Sequence, residues 1–328
     1  MISRHKRTAL LLAALAAGLA VQALAQDGAQ EATSKRIITI DGSGGTQSGN
    51  LRSGPIVYEH PEPFGITAMV STLSIFGHRV ELSAPAGESI TRGGERVAAF
   101  TDGVRVERGR LTATGPGLEY SEATGLGVLA GRAEVVVAPE AEGDDEVRIA
   151  ADSVAFDVDT DRSTSSGNVA LQNGKQSAEA SELIYEEGRE LGVLTSAGAQ
   201  ARITRLDDDG GTTVITADEI RVLTGSKLLY ARGNVTVVDG AITSTGNEVF
   251  FDDNSGIAEV IGTPEEPARA LDADSGTTLV TDRIQQDVEY DFFEAIDASV
   301  PSVYDAATFA LTERPLAPAG EEGPAGAE

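Results

Sequence analysis

The chain has 328 residues, with 52 acidic side chains against 25 Lys and Arg, a formal net charge of −27 and no cysteine. That balance repels polyanions and argues against nucleic acid or an anionic membrane face as partner. The missing thiols exclude disulfides, cysteine nucleophiles and thiolate metal sites, so the fold must rest on its core and on a hydrogen-bonded sheet.

In chain order, Arg4, His5, Lys6 and Arg7 form a basic start, Leu10 to Val21 is apolar, and Ala23-Leu24-Ala25 is a small-x-small site. This predicts a cleaved secretory signal over 1–25. The apolar run falls short of the ~20 residues a membrane span needs. An uncleaved N-terminal anchor in the inner membrane is the alternative. Residues 26–34 read as a flexible leader.

From there the chain repeats itself. Gly109-Arg110-Leu111-Thr112, Gly174-Lys175-Gln176-Ser177 and Gly240-Ala241-Ile242-Thr243 stand 65 and then 66 positions apart. The same offsets carry Val104 to Val169 to Val235 and Tyr120 to Tyr185 to Phe251. Such a register predicts one structural unit stacked several times. The units are placed at 80–145, 146–211 and 212–276. A partial unit at 35–79, around Pro55-Ile56-Val57-Tyr58-Glu59, precedes them, and another at 277–311 follows. Residues 312–328, rich in Pro, Ala, Gly and Glu, read as a disordered tail.

Within each unit, apolar residues alternate with polar ones, as in strands with one buried face. Asn173-Gly174 and Asp239-Gly240 between alternating runs predict tight hairpins, because such turns need positive φ. The expectation is strands of about 6 to 10 residues, about six per unit, all antiparallel. Comparison of the copies gives the facing. Val104 and Val106, Val169 and Leu171, and Val235 and Val237 stay apolar in every copy, while Arg105, Ala170 and Thr236 between them vary. Leu118 and Tyr120, Leu183 and Tyr185, and Val249 and Phe251 keep the same phase, around a residue that drifts from Glu119 to Ile184 to Phe250. With Phe156, Ile220 and Val222, these residues are predicted to line the interior. The strand at Leu126 to Leu129 is apolar in both phases, so its facing stays open.

No catalytic or metal-binding constellation emerges. Asp157-x-Asp159-x-Asp161 begins like a calcium loop, but Arg162 stands where glycine is needed and Asn168 where a bidentate glutamate is needed. Asp207-Asp208-Asp209-Gly210-Gly211 reads as an acidic hairpin tip. His60 and His78 lack matched ligands or a triad. Gly42-Ser43-Gly44-Gly45 lacks the Lys-Ser/Thr and helix of a phosphate loop.

The segment Val214-Ile215-Thr216-Ala217-Asp218-Glu219-Ile220, then Gly233-Asn234-Val235 and Phe251-Asp252, resembles the OstA-like family. That family includes the lipopolysaccharide-transport proteins LptA and LptC and the N-terminal domain of LptD. Ala151-Asp152 with Gly167-Asn168-Val169 repeats the pattern, and both Asp-to-Gly intervals span 15 positions. The resemblance runs over about residues 80–290. It implies an all-β, elongated and twisted antiparallel jellyroll (a β-taco) in the periplasm, whose interior cradles acyl chains of lipopolysaccharide or another envelope lipid. It also implies head-to-tail self-association, partners among inner- and outer-membrane transport components, and no cofactor. From the residues alone, the interior can equally be a sealed core. The functional expectation is therefore a non-enzymatic lipid-binding or transport protein; the alternative is a structural β scaffold that carries no lipid.

Overall fold

A computed structural model describes residues 35–207, 210–297 and 299–313. The predicted signal and leader, and the tail beyond Glu313, lie outside the described residues. These form one antiparallel sheet of 23 strands, accompanied by two 3-10 turns, Glu187–Arg189 and Ala306–Phe309. The all-β antiparallel expectation therefore holds.

The strands differ from expectation in length. Eight of them run for 11 or 12 residues: Leu73–Ser83, Val97–Arg108, Leu126–Val137, Val147–Asp157, Arg162–Asn173, Gln176–Glu186, Leu228–Asp239 and Ile242–Asp252. Six of them pair with a different strand in each half, while Val147–Asp157 and Arg162–Asn173 run alongside one strand on either side. In Gln176–Glu186, for instance, the first half pairs with Ala201–Leu206 and the second with Leu191–Thr195. The ladders slip at the middle of these strands, between Gly77 and Arg79, Ala150 and Ser153, Ser166 and Val169, and Arg232 and Val235. A bulge bends a strand and increases its twist. The line of bulges therefore folds the sheet lengthwise into two faces that meet along a hinge. The first face carries the turns at Gly109, Gly174 and Gly240, and the second those at Gly125, Glu187–Arg189 and Gly256.

The Ala-Asp and Gly-Asn motif builds this hinge. Gly167 and Gly233 have φ of 76° and 77°, and Asn168 and Asn234 follow at 46° and 49°. The Asn168 side chain donates to Asp152 Oδ2 at 2.8 Å, and Asn234 to Asp218 Oδ2 at 2.7 Å. A Cβ on Gly167 or Gly233 would sit 2.5 or 2.6 Å from the same carboxylate oxygen. Only glycine fits both the left-handed backbone and the approach of the aspartate.

Inward side chains of both faces pack into one continuous apolar cluster running from Ile38 to Val288. Leu126 and Val128 are exposed while Leu129 is buried, so the strand left open by the sequence follows the inward phase of its neighbours.

Candidate functional site

The interior between the two faces is the candidate site. Val104, Val106, Leu118, Tyr120, Phe156, Val169, Leu171, Leu183, Tyr185, Ile220, Val222, Val235, Val237, Val249 and Phe251 are all buried and all belong to the single cluster. The structure thus brings together residues spread along the chain from Val104 to Phe251. Tyr185 keeps its hydroxyl in a hydrogen bond with Thr224 Oγ1 at 3.1 Å, and burial pushes its pKa up to about 12. Burial likewise raises Tyr120, whose hydroxyl donates to the Arg36 carbonyl at 2.7 Å. Burial thus favours the neutral form of both phenols.

Opposite the hinge, the turn-bearing rims of the two faces come together along a seam, and ion pairs bridge it. Arg108 Nε on the first face donates to both Glu187 oxygens on the second, at 2.9 and 3.0 Å. Arg110 meets Glu190. Lys227 Nζ on the second face reaches Asp145 on the first at 2.7 Å. Arg205 meets Asp253 and, at 2.5 Å, Glu289. At the N-terminal end Arg36 Nε holds Asp159 at 3.1 Å. Thr72 donates to Asp161 at 2.7 Å, and Arg108 to the Asp157 carbonyl at 3.2 Å. Asp159 and Asp161 thus engage the seam through their carboxylates and Asp157 through its carbonyl, while Asp157 Oδ1 accepts from the Asp159 N–H at 2.9 Å.

Electrostatics at the seam follow from partial burial. Arg110 and Lys227 are held above their ordinary values by hydrogen bonds to Glu190 and Asp145, respectively. For Arg205, burial disfavours the cation, but Glu289, Asp253 and Asp207 outweigh it and raise the pKa. Glu187 goes the other way: burial raises its carboxyl, and Arg108 offsets only part of that.

Sequence reasoning missed these residues. The partners of Arg108, Arg110, Lys227 and Arg205 (with Glu289) lie 79, 80, 82 and 84 positions away. No local spacing reveals such pairs. The available signal was limited to Arg108 and Arg110, which flank the turn at Gly109. Among the described residues no group of His, Cys, Asp and Glu could hold a metal ion, and no helix is long and apolar enough to cross a membrane.

The arrangement offers a long packed apolar interior, a backbone hinge on one side and a side-chain closure on the other. Comparison with known proteins agrees with the sequence resemblance. Residues 148–257 match the model of the LptA/(LptD N-terminal domain) LPS transport protein family. Among solved structures the chain is similar to LptH, the LptA homologous periplasmic component of the conserved lipopolysaccharide transport device from Pseudomonas aeruginosa. That similarity has 15% identity and a TM-score of 0.33, over 36% of this chain and 82% of that one. No curated protein matches the chain. The matched segment holds both copies of the hinge motif, Asp152 with Asn168 and Asp218 with Asn234. Over residues 148–257 the chain is similar to the family of LptA and the LptD N-terminal domain.

Proposed function

We propose that this is a non-enzymatic periplasmic lipid-handling protein that holds the acyl chains of lipopolysaccharide, or of another envelope lipid, between its two faces. The observation that carries the reading is the unbroken apolar interior, closed along one side by side-chain ion pairs. A roll whose seam is bridged by side chains can part without breaking a strand ladder. Each methylene then buried contributes ~0.8 kcal/mol. The inward residues named above are the proposed groove lining, and the seam cations are placed to meet an anionic head group. The family match supports transport as the purpose of such holding.

End strands supply the proposed route to partners. Among the described residues, Thr39–Asp41 and Thr46–Gly49 at one end, and Thr278–Thr281 and Phe292–Ala295 at the other, pair on one side only. Unpaired edges extend by strand addition, which suits head-to-tail association with a second copy or with membrane-bound transport components.

Dense packing of the interior favours a second reading, a β scaffold that carries no lipid. Native mass spectrometry of protein purified from its host separates the two. Lipid-handling predicts a co-purifying amphiphile released by organic extraction. A preparation of bare protein from cells with normal lipid content supports the scaffold.

A further inference from the structure

The outer surface of the second face changes along its length. Leu126 and Val128 point outward and stand exposed, 37% and 39% accessible. Further along, the outward residues Val193, Tyr230 and Phe250 are buried. What covers them is the chain's own C-terminal segment, 300–312. Phe309 is buried against Leu191, Val193, Tyr230 and Phe250, with Tyr304 and Leu311 at its margins. The Tyr230 and Phe309 rings lie 5.7 Å apart, and Tyr304 stacks on Phe250 at 5.5 Å. This explains why the drifting position becomes Ile184 and then Phe250: the drift marks the footprint of the segment.

Polar contacts pin the same segment by its backbone. Arg221 donates to the Phe309 carbonyl at 2.9 Å, and Arg189 to the Thr308 carbonyl at 2.5 Å and to that of Ala310. Arg162 donates to the Thr312 carbonyl, and the Thr312 N–H donates to Glu186 at 3.3 Å. None of these bonds belongs to a strand ladder, so the segment can lift without disturbing the sheet.

The turn at Glu186 to Glu190 is thus gripped from two sides. From the seam, Arg108 holds Glu187 and Arg110 holds Glu190. From outside, the C-terminal segment holds Arg189 and Glu186. The turn itself is short and strained, a 3-10 turn followed by Glu190 at φ 52°. We propose that residues 300–312 are a strap that governs seam opening. Docked, the strap keeps this turn where Arg108 and Arg110 reach it; lifted, it frees the turn and loosens both ion pairs. The inference needs no bound lipid and goes beyond the lipid-holding reading.

The chain has no cysteine, so nitroxide labels can be placed at will. Ala138→Cys with Gly188→Cys puts one label on each rim, both at exposed positions outside the ion pairs. Ala138→Cys with Gln172→Cys puts both on the first face as a control. Pulsed electron resonance is run on the full chain, on a chain ending at Ser299, and on full-length Phe309→Ala. The proposal predicts that the cross-seam distances shift to longer and broader values in the truncated chain and, less strongly, in Phe309→Ala. The control pair stays unchanged. If truncation prevents folding, Phe309→Ala decides. Cross-seam distances that stay as in the wild type, or that change together with the control pair, overturn it: the strap is then only a cover.

Discussion

At the scale of single residues, the hinge and the N-terminal seam are the sensitive points. Gly233→Ala places a side chain in the left-handed region, which costs about 1–2 kcal/mol for an L-residue, and crowds Asp218 at 2.6 Å. Urea unfolding should report a loss of at least that size, whereas Gly188→Ala, whose Cβ meets nothing within 4 Å, should be near neutral. Glu122 gives a pH signature. Burial alone would raise its carboxyl, but Arg96 and the N–H groups of Ile38 and Gly94 hold it below the ordinary carboxylate value. A lowered folded-state pKa stabilises above the unfolded value and is lost as the pH falls through the folded one. Stability should therefore drop with acid from about pH 4.5 downward. In Glu122→Gln that part of the acid dependence should be missing, which thermal melts across pH 3–7 would show.

At the scale of elements, the inward phase was legible because side chains alternate with a period of two and three copies of the strand could be compared. Val104, Val169 and Val235 hold that phase against varying neighbours, and all are buried. The bend was not legible, since its motif reads as a fingerprint until Asn168 is seen donating to Asp152. Strand lengths were underestimated for the same reason: Arg162–Asn173 continues through its bulge instead of ending there. The seam could not be read because sequence spacing reports neighbours along a strand, and Arg110 finds Glu190 across the fold. The strap was hidden because 300–311 follows the last strand and looks like the end of a partial unit. Packing predicts that Leu171→Ala, which empties a buried site, costs about 2–5 kcal/mol. Arg108→Met, which leaves the mostly buried Glu187 carboxyl without its cation, should lower stability, since a buried pair broken on one side strands the other charge. It should also speed the uptake of an apolar fluorescent dye in stopped-flow. An unchanged uptake rate in Arg108→Met would show that the ion pair does not guard the interior.

At the scale of the whole molecule, the fold is a sheet creased along its length, with a rigid backbone hinge and a breakable side-chain seam. The edges unpaired among the described residues at both ends point to growth along the roll axis. Light scattering should show concentration-dependent assembly. Val280→Pro, on the terminal strand Thr278–Thr281, should suppress it while leaving the monomer folded, since proline cannot donate to an added strand. The central claim concerns the space inside. A photo-crosslinking side chain at Val237, which points inward and is fully buried, is compared in its native host with one at Thr236, its outward neighbour. The lipid-handling account predicts a lipid adduct at Val237 and none at Thr236. A folded protein with no adduct at Val237, or with equal adducts at both positions, would contradict it.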